Sequence, residues 1–222
     1  AERPVDGSVP YSTTVEVLSR FEGRAKALVG SLQTLEAAKR ALGMGTSVQL
    51  GESVRVAAAA AQEIDAIKEV WAVLGVFYRQ LDVLAATTVR GCNPMDVRRE
   101  LYDVQQRLAA VPRDVRSFGA YEYIKTVVAD YVERHVLLVD VCSGFLRLKH
   151  QRMLLGCLAL PNLSWAELTV GHLWQVKQFS QVLKAVRVVL EQAQGESALE
   201  EFIAGELSGK WSAVELETVQ YQ

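Results

Sequence analysis

One apolar stripe in the middle of the sequence limits the folds that this chain can adopt. Its members recur in alternating steps of three and four residues: Ala57, Ala60, Ile64, Ile67, Trp71, Leu74, Tyr78, Leu81 and Ala85. This heptad spacing keeps apolar side chains on one side of an α-helix and favours shallow-angle packing against a neighbouring helix. A helix that begins near Glu52 and carries the whole stripe is long for a small domain. The stripe therefore predicts a fold built from long, packed helices.

Further helices are predicted on both sides of this stripe. Asn93 is a typical helix cap and Pro94 fits a first helical position. Ser143 and Gly144 either kink or end the fourth helix. The predicted helices cover residues 12–43, 52–85, 94–111, 117–142, 145–159, 178–194 and 197–208, with a short helical turn around 168–176.

The apolar spacing changes after Trp211. Val214 and Leu216 alternate with polar residues, and Thr218 and Tyr221 follow in a β-prone run, so Val214–Tyr221 is predicted to be a strand. A single strand cannot satisfy its own backbone N–H and C=O groups. Its partner must come from another molecule or from residues after Gln222, and the second option predicts that the chain is a piece of a longer polypeptide.

Together these patterns predict an all-α fold. The loops are short and the helices long, which favours an elongated array of antiparallel helical bundles with a short C-terminal β-strand. Three parts are predicted: an irregular lead-in over residues 1–11, a long-helix bundle over 12–160, and a connector, two helices and the terminal strand over 161–222.

Composition argues against several classes of function. The 222 residues carry a net charge of −2, whereas a nucleic-acid-binding surface would be basic. Cys92, Cys142 and Cys157 are odd in number and lack metal-ligand spacing, which indicates free thiols in a reducing compartment. The polar opening AERPVDGSVPYS does not resemble a secretory signal, and no apolar run is long enough to predict a membrane span.

No motif for catalysis or for cofactor binding is found. The loop GMGTSVQLGES (residues 43–53) has three glycines but lacks the Gly-Lys-Ser/Thr of a phosphate loop, so it is interpreted as a helix connector. His135 is predicted to be a hydrogen-bonded core or boundary histidine, and His172 a packing residue. His150 is predicted on a solvated basic face, with contact to an acidic partner as the alternative. No catalytic, cofactor-binding or metal site is therefore predicted.

Several segments resemble cytoplasmic dynein heavy chains, in the same order and with similar spacing. They are AYEYIKTVVADYVERHVLLVDVCSGFLRLKHQRMLLGCL, WAELTVGHLWQV and LEQAQGESALEEFIAGELSGKWSAVELETVQYQ. EIDAIKEVWAVLGVFYRQLDVL and VPRDVRSFGAYEY are similar to the preceding helices of the same region. Lys149-His150-Gln151 stands where the family usually has Arg-His-Trp. The resemblance covers roughly residues 55–222 and is to the junction of the tail and the linker.

The resemblance implies a non-catalytic mechanical segment. It would join the cargo-binding tail to the linker, which is the lever of a minus-end-directed microtubule motor. The segment itself would be no enzyme and hold no cofactor, whereas the parent chain would be an AAA+ ATPase that binds ATP and magnesium in its downstream ring. A cytoplasmic location on the microtubule cytoskeleton is implied.

The resemblance also implies partners. They are the downstream linker and AAA+ ring of the same chain, the second heavy chain of a homodimer, and nearby dynactin, an adaptor and the intermediate or light intermediate chains. The microtubule would be bound only through the distant stalk, and neither nucleic acid nor a membrane would be a partner.

On this interpretation the functional residues are packing anchors. The predicted anchors are Trp71, Tyr121, Tyr123, Leu168, Trp174, Phe202 and Trp211. Glu200 and Glu201 are predicted to bond to neighbouring helices. The alternative is a free-standing helical scaffold or adaptor that binds partners through the heptad face at Ile64–Leu81.

Overall fold

The computed structural model describes residues 11–45, 48–207 and 209, and these residues are mostly helical. The helices are α1 (Tyr11–Ala41), α2 (Val48–Ala86), α3 (Pro94–Ala109), α4 (Arg113–Arg116), α5 (Gly119–Val141), α6 (Leu148–Cys157), α7 (Val170–Trp174) and α8 (Phe179–Phe202). Short 3-10 turns cover Val89–Gly91 and Trp165–Glu167, and a π-helical turn over Ile203–Leu207 follows α8. Because the described part of the chain contains no β-strand, the prediction of an all-α fold is confirmed. The predicted strand at Val214–Tyr221 lies outside the described residues.

The predicted helix faces form the core. In α3 the apolar residues Val97, Leu101, Val104 and Leu108 recur at helical spacing and are all buried, and Val111 just after the helix is buried as well. The side chain of Asn93 accepts the N–H of Met95 at 3.1 Å, so this residue caps α3 as expected.

The heptad stripe of α2 is fully buried at three of its large residues and half-buried at Ile64, Ile67 and Tyr78. Trp71, Leu74 and Leu81 are at most 5% exposed, whereas Ala60 at one end of the stripe is exposed. A second row at the same heptad spacing, Val70, Phe77 and Leu84, is equally buried. The buried face of α2 is therefore wider than the single stripe indicated.

The predicted boundaries are only partly right. Of the two alternatives for Ser143 and Gly144, the end of a helix is confirmed and the kink is not, because α5 ends at Val141 and α6 begins at Leu148. The helices predicted on either side of residue 195 are one helix, α8. Gly195 is exposed, and a Cβ added to it would meet nothing within 4 Å, so its only cost is the low helix propensity of glycine, about 1 kcal/mol. Burial of Val186, Val189 and Ala193 on one side of α8 outweighs that cost.

The chain divides into two compact units. Of the described residues, the first unit contains those within Ala1–Val83 and Glu100–Asp130, and the second those within Leu84–Arg99 and Tyr131–Gln222. The three-part division predicted from the sequence stays a prediction. None of the helices in the described ranges combines the length and the apolar character needed to cross a bilayer.

In the first unit, α1 is attached to α2 at two places. Glu22 of α1 accepts bonds from Lys26 and from Lys68 of α2, each at 2.6 Å, and these bonds lower the pKa of Glu22 to about 2. At the start of α1, the Tyr11 ring lies 6.2 Å from the ring of Trp71. It also stacks on the ring of Tyr78 at 6.1 Å. The first unit is thus held by both ionic and aromatic contacts.

Candidate functional site

The candidate site lies in the second unit, where residues 158–178 link α6 to α8; we call this segment the connector. Two short helical turns of the connector begin with the same local bond. The N–H of Ser164 donates to the Glu167 carboxylate at 3.2 Å, and the N–H of Thr169 donates to Nδ1 of His172 at 3.1 Å. In each case the side chain three residues on satisfies a backbone N–H that the helix leaves free. His172 is therefore a capping residue, and its interpretation as a packing residue was incomplete.

Backbone bonds attach the connector to the segment that follows α2. The N–H of Val89 donates to the carbonyl of Leu168 at 2.8 Å, and the N–H of Val170 donates to the carbonyl of Thr87 at 2.9 Å. Leu168 and Val170 are completely buried beside this pair of bonds. The start of α7 is thus fixed in register against the end of α2.

Gly171 makes this attachment possible. A Cβ added at Gly171 would lie 3.0 Å from the carbonyl oxygen of Ala85 and 3.1 Å from its Cβ. Any side chain at this position would push α7 away from the last turn of α2. Gly171 was not among the residues predicted from the sequence, although a glycine inside a short helix is a signal of close backbone approach.

A single arginine of α5 binds the other end of α7. Arg134 donates to the carbonyl of Trp174 at 2.8 Å and to the carbonyl of Val176 at 2.6 Å. Its guanidinium also lies 5.6 Å from the centre of the Phe179 ring at the start of α8. The ring of Tyr131, one turn earlier on α5, stacks on Trp174 at 4.1 Å with an interplanar angle of 10°. Cationic donors suit the free carbonyls at a helix C-terminus.

An ionic cluster joins the start of α6 to the end of α8. Arg147 pairs with Glu200, and Nζ of Lys149 lies 2.5 Å from Oε2 of Glu196. The Glu200 pair agrees with the prediction that this residue bonds to a neighbouring helix. Glu200 and Glu201 are both exposed. The bond from Lys149 is the main reason that the pKa of Glu196 falls to about 2.

His150 lies at the centre of this cluster and is completely buried. Its Nδ1 accepts the N–H of Arg147 at 3.3 Å, so the ring is assigned as the tautomer that carries its proton on Nε2. That Nε2 lies 3.1 Å from Oε2 of Glu196 but makes no hydrogen bond to it. The prediction of a solvated basic face is wrong for His150, because α8 covers the side of α6 that also carries buried Leu154.

His135 is buried at 5% exposure, but neither of its ring nitrogens has a hydrogen-bond partner within the described protein. The prediction of a hydrogen-bonded core histidine is therefore right about burial and wrong about bonding. Burial lowers the pKa of His135, and the positive charge of Arg98 lowers it further. Cys92, Cys142 and Cys157 carry free thiols, as predicted.

The structure separates the predicted anchors into three groups. Trp71, Tyr121, Leu168 and Trp174 are at most 5% exposed. Tyr123 and Phe202 are 41% and 49% exposed, so neither packs into a core. Tyr123 follows Tyr121 by two residues, which is about 200° around the helix. Trp211 lies outside the described residues.

The geometry is that of a packing site. Most of the polar side chains described bond to backbone groups or pair with each other, and no group of three or more His, Cys, Asp or Glu side chains within the described ranges is placed to hold a metal ion. The fold and the site define an all-helical module in which a short connector is bonded on both sides.

The chain belongs to the dynein heavy chain family, because residues 58–222 match the family described as "Dynein heavy chain, N-terminal region 2". It is similar over its whole length to the cytoplasmic dynein heavy chain of Dictyostelium discoideum, at 31% identity over 225 residues. The cytoplasmic dynein heavy chains of Caenorhabditis elegans and Drosophila melanogaster are each 26% identical over 222 residues, or 99% of the chain. The chain spans 5% of the length of each of these relatives.

Proposed function

We propose that this chain is the segment of a cytoplasmic dynein heavy chain that joins the cargo-binding tail to the linker. In this role it transmits force between the two and performs no chemistry of its own. Its similarity to cytoplasmic dynein heavy chains over the whole chain supports the placement in the heavy chain. The parent would be a minus-end-directed microtubule motor in the cytoplasm, with ATP and magnesium bound in a downstream AAA+ ring.

The bonding of the connector is the observation that carries the mechanical role. Backbone bonds and Gly171 fix one end of α7, and Arg134 with its aromatic neighbour Tyr131 fixes the other. Packed interiors have low compressibility, so displacing α7 by even a small distance breaks several of these contacts together. A segment bonded in this way passes a displacement on to α8 instead of absorbing it.

The partners of the parent would follow from this position. They are the downstream linker and ring of the same chain, the second heavy chain, and dynactin, adaptor and intermediate or light intermediate chains near the tail. The rival function, an adaptor that binds through the face at Ile64–Leu81, finds less support because Trp71, Leu74 and Leu81 of that face are already buried within the chain.

The proposal is tested in the full-length heavy chain by uncoupling the connector. Arg134→Ala leaves the carbonyls of Trp174 and Val176 without their donor, and Val188→Ala on the exposed side of α8 is the matched control. We expect Arg134→Ala to slow microtubule gliding several-fold while microtubule-stimulated ATP hydrolysis is retained. Unchanged gliding by Arg134→Ala, or equal loss of hydrolysis and gliding, would contradict a role in force transmission.

A further inference from the structure

A cavity lies between α6 and the first part of the connector, and we call it the α6 cavity. Its volume of about 360 Å³ falls within the range of about 300 to 1,000 Å³ that is typical of ligand-binding sites. Five apolar side chains line most of it: Leu148, Leu155, Pro161, Leu163 and Trp165. Leu155 is 6% exposed whereas Leu148 is 75% exposed, so the cavity extends from the core to the surface.

The side of α6 that lines this cavity is not the side that α8 covers. At 100° per residue the α6 members of the lining fall within a sector of about 100° around the helix axis. They are Leu148, Gln151, Arg152 and Leu155. His150, which α8 covers, lies outside this sector and does not line the cavity. The helix therefore packs on α8 with one side and leaves the other open to a ligand.

Of the described residues that line the α6 cavity, one is a cation and none is acidic. Arg152 is exposed and makes no hydrogen bond or ion pair with any described residue, whereas Arg147 and Lys149 are paired within the ionic cluster. Glu167, in the turn that follows Ser164, accepts the N–H of Ser164 and does not line the cavity. The planar guanidinium of Arg152 is thus available to a carboxylate, which it can bind through two parallel bonds.

We propose that the α6 cavity binds an aromatic side chain of a partner protein, supplied by a short exposed segment that also presents a carboxylate to Arg152. The apolar lining and the volume suit a large ring, and the half-buried ring of Trp165 gives it an aromatic neighbour. Aromatic side chains provide a large contact area with few rotatable bonds, so they lose little conformational entropy on binding.

The charge of the cavity decides between classes of segment. A basic segment would be repelled by Arg152, and a segment with only polar side chains would leave the apolar lining exposed to water. An acidic segment with one aromatic residue satisfies both requirements. When bound, it would contact α6 and the connector at the same time, because both contribute to the lining.

The contact is small, which sets the strength of binding. One anchoring side chain buries far less surface than the roughly 20 to 30 residues per side of a standard stable interface. We therefore expect a dissociation constant on the order of 0.1 to 1 mM for a short peptide. This inference does not depend on the proposed function, because it concerns ligand binding by the chain itself and Arg134 does not line the cavity.

Isothermal titration calorimetry of the chain with the peptide acetyl-Asp-Trp-Glu-amide tests the proposal. We expect saturable binding. Replacing the tryptophan of the peptide by alanine should weaken binding at least about tenfold, and replacing its two acidic residues by their amides should weaken it about two- to fivefold. A peptide that does not bind saturably, or that binds equally well without its tryptophan, would refute the proposal. Binding of indole-3-acetate without binding of the peptide would also refute it and assign the cavity to a small molecule.

Three variants of the chain locate the binding site. Gln151→Trp fills the cavity from α6 and should weaken binding of the acidic peptide at least about tenfold. Arg152→Gln should weaken the acidic peptide about two- to fivefold and leave the amide peptide unchanged. Lys184→Gln is the matched control, since it removes the same charge from an exposed position on α8 that does not line the cavity.

Helix content from circular dichroism should be the same in all three variants, because none of these positions is fully buried. Equal weakening by Arg152→Gln and Lys184→Gln would show that the peptide responds only to net charge. Full binding by Gln151→Trp would show that the peptide binds elsewhere. Either result would refute the α6 cavity as the binding site.

Discussion

Replacing Gly171 by alanine tests the close approach of α7 to α2. Alanine is favoured over glycine inside a helix by up to about 1 kcal/mol, so the local effect of the substitution is stabilising. The new Cβ, however, would lie 3.0 Å from the carbonyl oxygen of Ala85. That oxygen belongs to the backbone and cannot rotate away as a side chain would. The bonds from Val89 to Leu168 and from Val170 to Thr87 prevent the two segments from separating.

The expected magnitude follows from these opposing effects. Overpacking of a well-packed core costs about 1 to 3 kcal/mol, which exceeds the helix-propensity gain. Gly171→Ala should therefore lower the free energy of unfolding by up to about 2 kcal/mol. Gly195→Ala is the matched control, because a Cβ at Gly195 of α8 meets nothing within 4 Å. It should raise the free energy of unfolding by about 0.5 to 1 kcal/mol.

Urea unfolding followed by circular dichroism measures both changes. The comparison is valid if the two variants and the parent chain share the same dependence of free energy on urea concentration. If Gly171→Ala stabilises the chain as much as Gly195→Ala does, α7 moves without cost and the connector is not fixed by its backbone bonds.

Three further predictions concern the core, the ionic cluster and the lack of a phosphate loop. Trp71→Ala should lower the free energy of unfolding by about 3 to 5 kcal/mol, as loss of a fully buried ring does, and a loss under about 0.5 kcal/mol in urea unfolding would contradict its burial. The lowered pKa of Glu196 means that its stabilising effect is complete above its usual pKa of 4.5 and is lost as pH falls toward about 2. The difference in stability between the parent chain and Glu196→Gln should therefore shrink over this range of pH, and a constant difference would contradict the assigned ion pair. The isolated chain should not hydrolyse ATP, and saturable turnover that is abolished by changing residues 43–51 would contradict this.

The helices could be predicted from the sequence because the apolar spacing that indicates a helix lies within the residues of that helix. The apolar residues Val97, Leu101, Val104 and Leu108 of α3 recur at helical spacing within the helix itself, and all of them are buried. Helix ends could not be predicted where glycine or serine interrupts the apolar spacing. Gly195 resembles a helix end, yet packing of the residues before it decides that α8 continues.

The contacts that form the candidate site depend on residues far apart in the sequence. Arg134 has no local signal for its role, because the carbonyls that it binds lie 40 and 42 residues later. His150 stands among charged residues and resembles a solvated position, but α8 buries it. Only the family resemblance indicated that these distant segments act together, and it did so without identifying the bonds.

The arginine bound to the end of α7 has a consequence for the length of the chain between α7 and α8. Surface loops usually accept inserted residues at little cost, because the entropy of loop closure grows slowly with loop length. Here Arg134 holds the carbonyls of Trp174 and Val176 at the same time, so the spacing between them is fixed by one planar group. Gln178, with a φ of 52°, then turns the chain into α8. A residue inserted or deleted between Trp174 and Val176 would leave one of the two carbonyls without its donor and change where the chain enters α8. This short loop therefore sets the direction of the helix that follows, and its length is as constrained as that of a core element.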